Sequence, residues 1–363
     1  MIKVLKAVLL VGIFSVSSVS SAEGFDDSVF STLDYGLYWA GADNEFEKAS
    51  VDTQAGSNYY DPDKSTIIYI HGWQSDSVET LYRETFYNTH NDSPYIDFAS
   101  MWERNGYNIG IMYWNQFADE SEVKDAEAKI WSTAGSSNMR WLDSQGDYHY
   151  GDVDKPIAEL FFDNYVTAMT GYNGGDIRIA GHSLGSQIAM RLTRLIQESA
   201  ETGEVSENLV PDRLTLLDAF FSNGEKSYLD DQWTGESARD LADEMIAYGT
   251  AIDSYRTSVA SSSIFVGDEN TELHNKLAFS EGDTSYFSVS EQSEKHSAAV
   301  WLYLWSIDYS EPVVEDSALV GVSASADNDL VRSWMDADVH IDQKEGGSTK
   351  DPVDDTYLTT NRL

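Results

Sequence analysis

Five residues, Gly181-His182-Ser183-Leu184-Gly185, constrain this chain more than any other stretch. An apolar run, Ile177-Arg178-Ile179-Ala180, leads into them, and Ile188, Leu192, Leu195 and Ile196 follow at helical spacing. A strand must therefore become a helix across one sharp turn. The two glycines permit the strained backbone and the close approach of helix to strand that such a turn needs. The turn holds Ser183 above a sheet with its hydroxyl presented, and the helix that follows aims backbone N–H groups and the positive end of its dipole at any negative charge developing there. The plainer alternative is a Gly-Ser loop before an ordinary helix.

Other short apolar runs fit the same plan. Residues 67–70, 109–114 and 214–217 read as buried strands, and residues 251–255 as a weaker one. Ile157, Leu160, Phe161, Tyr165 and Met169 fall on one helical face after Pro156, a residue suited to the first helical position. Strands alternating with helices predict an α/β fold with a mostly parallel central sheet and helices on both faces. In such sheets ligand sites gather outside the carboxyl ends of the strands. Residues 143–154 read as a polar loop and residues 259–294 as mostly polar and Ser-rich. Residues 311–363 read as an acidic C-terminal extension, either an appendage or a tail packed on the main domain. The expected divisions are 1–22, 23–310 and 311–363.

Charge removes whole classes of partner. The chain of 363 residues carries 62 Asp and Glu against 23 Lys and Arg, a formal charge of −39. Phosphate contacts need cations, so nucleic acid is not an expected partner, and anionic lipid would be repelled. Ten Trp, 21 Tyr and 14 Phe are a globular inventory rather than a disordered one. The acid excess is expected to be a solvated coat that keeps the protein a soluble monomer, best tolerated where salt screens self-repulsion. With no cysteine there are no disulfides, thiolate metal sites or cysteine nucleophiles. Asp351, Asp354 and Asp355, or Asp336, Asp338 and Asp342, lack the calcium-loop pattern, so no cofactor or metal is expected.

Residues 1–22 have the order of a secretory signal: Lys3 and Lys6, then an apolar stretch, then small residues with Ser20 and Ala22 before a cut ahead of Glu23. The apolar run of residues 4–16 is shorter than the roughly 20 residues a spanning helix needs. The chain is thus expected to be exported, extracellular or periplasmic in transit, with no integral membrane anchor.

A serine hydroxyl needs a base to act as a nucleophile. Where the nucleophile sits on a strand–turn–helix elbow, the partners follow it in the order acid, then histidine. Of the seven histidines, only His274, His296 and His340 lie downstream. His296 is favoured, because the apolar run Ser297-Ala298-Ala299-Val300-Trp301 would anchor the loop carrying it; His274 is the rival. Asp218, directly after the run 214–217, is the favoured acid and Asp253 its rival. Two backbone donors are needed for an oxyanion: Leu184 N–H, next to the serine, and Trp73 N–H, in the loop His71-Gly72-Trp73 after a buried strand. His71 is expected to support that loop rather than to touch substrate.

Taken together, these blocks resemble the pancreatic-lipase-type branch of the α/β-hydrolase superfamily. Residues 67–73 resemble its strand and His-Gly-aromatic oxyanion loop, Tyr113-Trp114 its Asp-Trp strand end, and residues 177–185 its nucleophile elbow. Leu216-Leu217-Asp218 resembles its acid site, and His296 its histidine before an aromatic-rich helix. The resemblance runs over about residues 65–307. It departs at Ala219, where the family usually has Pro, and in lacking disulfides, a disulfide-closed lid and a separate lipid-binding sandwich domain. It implies an α/β-hydrolase fold and a secreted serine ester hydrolase of the triacylglycerol lipase kind, working through Ser183, Asp218 and His296 with Trp73 and Leu184 as the oxyanion hole. The expected substrate is a lipid or other ester, met at a transient lipid–water interface. A phospholipase A1, a small-ester esterase, a serine peptidase of the same fold and a non-enzymatic lipid- or glycan-binding protein are the alternatives. Phe220, Phe221, Trp233, Ile264 and Phe265 are candidates for an acyl groove or lid, or for core.

Overall fold

The computed structural model describes residues 25–50, 57–88, 95–261 and 267–362. Residues 1–22, read above as an export signal, and His90, Ile264 and Phe265 lie outside the described residues.

Eleven strands form one sheet. They are β1 (Gly36–Gly41), β2 (Glu45–Lys48), β3 (Ser65–Ile70), β4 (Tyr107–Tyr113), β5 (Ile177–His182), β6 (Arg213–Leu217), β7 (Ala251–Arg256), β8 (Ala278–Glu281), β9 (Val313–Val314), β10 (Val339–Glu345) and β11 (Thr356–Asn361). Their order across the sheet is β2-β1-β4-β3-β5-β6-β7-β8-β10-β11-β9. The strands from β4 to β10 in that order are parallel; β1 runs against both its neighbours, and β11 runs against β10 but parallel to β9. The antiparallel β1, the β4/β3 crossover and the elbow after β5 are the α/β-hydrolase arrangement.

Side-chain alternation explains why the sheet is covered twice. Ile68 and Ile70 of β3 pack into one apolar layer and Ile67 and Tyr69 into the other. Because successive side chains point to opposite faces, a continuous apolar strand has to be buried on both. One face receives α2 (Val123–Trp131), α3 (Ile157–Ala168), α4 (Gly185–Glu201) and α5 (Thr234–Tyr248). The other receives α1 (Phe98–Arg104) and α6 (Gln292–Trp305). Pro156 stands at the N-cap of α3, one place before the first helical position, with an extended ψ of 161°. Residues 141–142, just before the stretch 143–154 read as a polar loop, pair with residues 148–149 inside it as a short hairpin.

Residues 311–362 continue the main sheet. Ser280 and Glu281 of β8 pair with Ile341 and Asp342 of β10, and Val331 and Trp334 of α7 (Asn328–Met335) bury against Ala251 and Ala278. Two arginines on the central strands hold the incoming segment. Arg178 Nη1 donates to Ala324 O at 2.6 Å, and Arg213 donates to Ala326 O at 2.8 Å and Ser323 O at 2.9 Å while pairing with Asp253 at 2.5 Å. Asp253 is thus a buried structural partner of Arg213. No helix among the described residues is long and apolar enough to cross a membrane.

Candidate active site

Ser183 directly follows β5, in a left-handed backbone with φ 54°. A non-glycine residue there costs on the order of 1–3 kcal/mol and persists only where the surroundings dictate it. Here they do. A Cβ on Gly181 would lie 2.4 Å from Gly185 O, and one on Gly185 would lie 2.2 Å from Ile70 O, so neither glycine has room for a side chain. The turn is as tight as the pentapeptide requires.

Asp218 follows β6, also left-handed at φ 42°. In the parallel register Leu217 lies beside His182, and Ser183 N–H donates to Leu217 O at 3.1 Å. The carboxylate and the serine therefore emerge from adjacent strand ends. His296 reaches them from α6, and its Nδ1 lies 2.5 Å from Asp218 Oδ2. The histidine is the fifth residue of that helix, inside it rather than on a loop ahead of it, because the polar residues Gln292 to Lys295 already form its first turn. Asp218 also accepts from Thr257 N–H at 2.8 Å, Ser258 N–H at 3.2 Å and the Ser258 hydroxyl. Burial acts to raise this carboxyl, but the His296 bond and charge, with the Ser258 and Thr257 donors, hold it below its usual value. It is a carboxylate and can only accept, so the hydrogen bond requires a proton on Nδ1 of His296 and leaves Nε2 as the ring nitrogen that faces away from the acid. Among the described residues no hydrogen bond joins Ser183 Oγ to His296. Such contacts are often loose until substrate is bound.

The loop 71–78 lies directly over the serine. A Cβ on Gly72 would come within 2.7 Å of Ser183 Cβ and 3.3 Å of Ser183 Oγ. Burial lowers the His71 imidazole to about 3, so it is neutral. Its Nε2 accepts from Trp114 N–H at 3.2 Å, which leaves Nδ1–H to donate to Gly72 O at 2.9 Å. Pinning that carbonyl sends the Trp73 N–H of the same trans peptide the opposite way. The loop is braced further on. The Trp73 indole donates to Glu120 O at 2.8 Å, Gln74 donates to Glu84 at 2.9 Å, and Asp119 accepts from Asp76 N–H and Val78 N–H at 2.8 and 2.9 Å. Leu184 N–H, at the start of α4, has no backbone acceptor among the described residues.

Other candidates lie elsewhere. His274 is buried on Phe279, with Nδ1 3.4 Å from Ser254 Oγ, and His340 packs on the same ring at 4.9 Å between centroids. Phe220 and Phe221 are core residues. Trp233 is 37 % exposed at the start of α5.

Neither Ser258 nor Glu127 was singled out from the sequence. Ser258 lies two residues past β7, and the strand-end rule that singled out Asp218 applies equally to it. Glu127 is wholly buried and accepts from Gln187, one turn beyond the elbow, at 2.7 Å, and from Ser222 N–H and Thr234 Oγ1 at 3.0 Å each. Gln187 also donates to Phe220 O at 2.7 Å, and Phe220 N–H donates to Ser183 O at 3.3 Å. This network ties the segment after the acid to the elbow helix.

No protein-family model matches the chain, and no curated protein matches it. Solved structures similar to it include a poly(3-hydroxybutyrate) depolymerase from Bordetella parapertussis, at 14% identity and TM-score 0.28 over 57% of this chain and 61% of that one. Esterase B from Lactobacillus rhamnosis is similar at 13% identity and TM-score 0.27, over 75% of this chain and 74% of that one. A membrane phospholipase A described as a bacterial virulence factor is similar at 10% identity and TM-score 0.27, over 66% and 74%. The fold assignment rests on strand order and elbow geometry, not on these matches.

Proposed function

We propose that this protein is a secreted serine carboxylic-ester hydrolase that cleaves fatty-acyl esters of lipids, a triacylglycerol lipase of the pancreatic-lipase type. The observation that carries the reading is the 2.5 Å pairing of His296 Nδ1 with Asp218, beside a serine held on a strained elbow. In this reading Ser183 Oγ attacks the acyl carbonyl while His296 Nε2 takes its proton. Asp218 holds the imidazole in the required tautomer and balances its positive charge. Leu184 N–H and Trp73 N–H receive the oxyanion of the tetrahedral intermediate. His296 then gives the proton to the departing alcohol. Water, deprotonated by the same Nε2, attacks the acyl-enzyme and releases the carboxylic acid, restoring Ser183.

An apolar substrate is favoured by the rim. Val259, next to Ser258, is 54% exposed, and Val289, whose carbonyl accepts from Gln292 in the first turn of α6, is 86% exposed. In a chain with 62 acidic residues, apolar side chains standing open on both segments beside the Asp218–His296 pair suit a neutral acyl chain better than an anionic one. Phospholipase A1 activity on a zwitterionic lipid uses the same machinery and is the second reading.

The test is a substrate panel of triolein emulsion, phosphatidylcholine vesicles and a soluble butyrate ester, run with wild type and Ser183→Ala. Preference for triolein with loss of all cleavage in the variant supports the proposal. Cleavage of phosphatidylcholine alone supports the second reading, and a variant that still turns over esters at the wild-type rate refutes both.

A further inference from the structure

His182 is used by nothing described so far, although it lies at the centre of the three groups assigned to the chemistry. It precedes Ser183 in the chain, and its register partner Leu217 precedes Asp218. Its ring stands 4.5 Å from the His296 ring, centroid to centroid, and its Nε2 lies 3.1 Å from His296 O.

A carbonyl oxygen only accepts, so a hydrogen bond here requires the proton on Nε2 of His182. Burial first, and then the charge of His296 beside it, hold His182 down at about 3, so the ring is neutral wherever the protein works. With one proton to place, Nε2–H is the tautomer the structure demands.

We propose that His182 is a positioning residue, fixing the main chain of His296 at a set distance from the nucleophile; this rests on the ester-hydrolase reading above. Burial of its apolar face and the Thr257 hydroxyl, which donates to Lys295 O at 2.6 Å, seat α6 on the sheet, but of these contacts only the Asp218 bond, at Nδ1, holds His296 itself. The His182 bond adds a second anchor on the backbone of the same residue. That anchor starts from the residue bonded to Ser183, at the end of a central strand where Gly181 and Gly185 leave no slack. The gap between Ser183 Oγ and His296 Nε2, not closed by a hydrogen bond of its own, is thereby set through the strand end. A misplacement of about 1 Å between reacting groups costs on the order of 10²-fold in rate.

The test compares His182→Gln with His182→Met. The two side chains match in length, but only Gln keeps an N–H donor. Kinetics on a soluble butyrate ester are read together with the rate of fluorophosphonate labelling at Ser183. Loss of the anchor is expected to lower kcat and the labelling rate in His182→Met about tenfold or more, with KM within about twofold, by the scaling for misplaced groups. His182→Gln is expected to react at least about threefold faster than His182→Met, since it retains the donor. Equal rates for the two variants at matched melting temperature would overturn the proposal.

A measurement on the unaltered protein stands independently of how the variants fold. Long-range proton–nitrogen correlation with labelled histidine should show His182 neutral with its proton on Nε2 between about pH 5 and 8, as its burial requires. A proton on Nδ1 instead overturns the proposal. Failure of the wild type to label at Ser183 overturns the hydrolase reading as well. Labelling of both variants as fast as the wild type overturns the role of His182 alone.

Discussion

A single methyl group at position 72 tests the oxyanion loop. A Cβ added to Gly72 would lie 2.7 Å from Ser183 Cβ and 3.0 Å from His182 O. Carbon atoms at rest stand about 3.5–4.0 Å apart, so loop and serine must separate by ~0.8 Å. Neither neighbour yields easily. One is a main-chain carbonyl, and the other is the Cβ of a residue whose φ of 54° is already fixed by packed glycines. The separation falls between the nucleophile and the Trp73 amide. Displacement of about 1 Å, or loss of one oxyanion donor, costs on the order of 10²-fold in kcat. Gly72→Ala is therefore expected to lose about 10²-fold in kcat on a soluble nitrophenyl ester, with KM within about threefold and a stability cost of about 1–3 kcal/mol. Steady-state kinetics and a thermal melt read both terms. Gly175→Ala, whose Cβ would meet only Ser65 Oγ at 3.3 Å, is the control. Wild-type turnover by Gly72→Ala would refute the reasoning, because a loop that can retreat from Ser183 without consequence does not supply the oxyanion donor.

Asp218→Asn removes the acceptor that keeps the His296 proton on Nδ1, and a loss of about 10⁴-fold in kcat with an unchanged near-ultraviolet spectrum is expected; a loss under tenfold counts against the assignment. Burial raises the Glu84 carboxyl from 4.5 to about 7. The folded protein thus holds that proton more tightly than the unfolded chain, so the stability this group contributes is full below about 4.5 and falls as the pH climbs to about 7. Glu84→Gln should flatten that decline in a melting series from pH 4 to 8, and an unaltered slope would contradict it. Arg213→Met strands Asp253 and frees the carbonyls of Ser323 and Ala326. Breaking such a buried pair costs about 3–5 kcal/mol, so faster limited proteolysis beyond residue 310 is expected, and unchanged cleavage and Tm would contradict it.

What the sequence disclosed and what it hid follow from the range of the interactions involved. The elbow was legible because its constraints are local: two glycines, a strand before and a helical stripe after. Asp218 and His296 were legible because a strand end and an apolar helix mark them within a few residues. Ser258 and Glu127 were not, because a serine in a Ser-rich stretch, or one glutamate among so many acids, gains meaning only from partners far off in the chain. The C-terminal strands were obscured for a related reason. Residues 339–345 and 356–361 are acidic or Thr-rich with few apolar positions, and their place is set by long-range pairing with β8 and by carbonyls seated on Arg178 and Arg213. His274 and His340 matched His296 in residue type and chain order, but both pack on Phe279, and among the described residues only His296 of the three bonds to Asp218.

The central claim is that Ser183 is a nucleophile activated by His296. Incubating the wild type and His296→Ala with a fluorophosphonate, followed by peptide mapping by mass spectrometry, addresses it directly. A single adduct on Ser183 in the wild type, with labelling slowed at least about 10³-fold in the variant, is the predicted result. An adduct on another residue, or equal labelling of the two proteins, would contradict it.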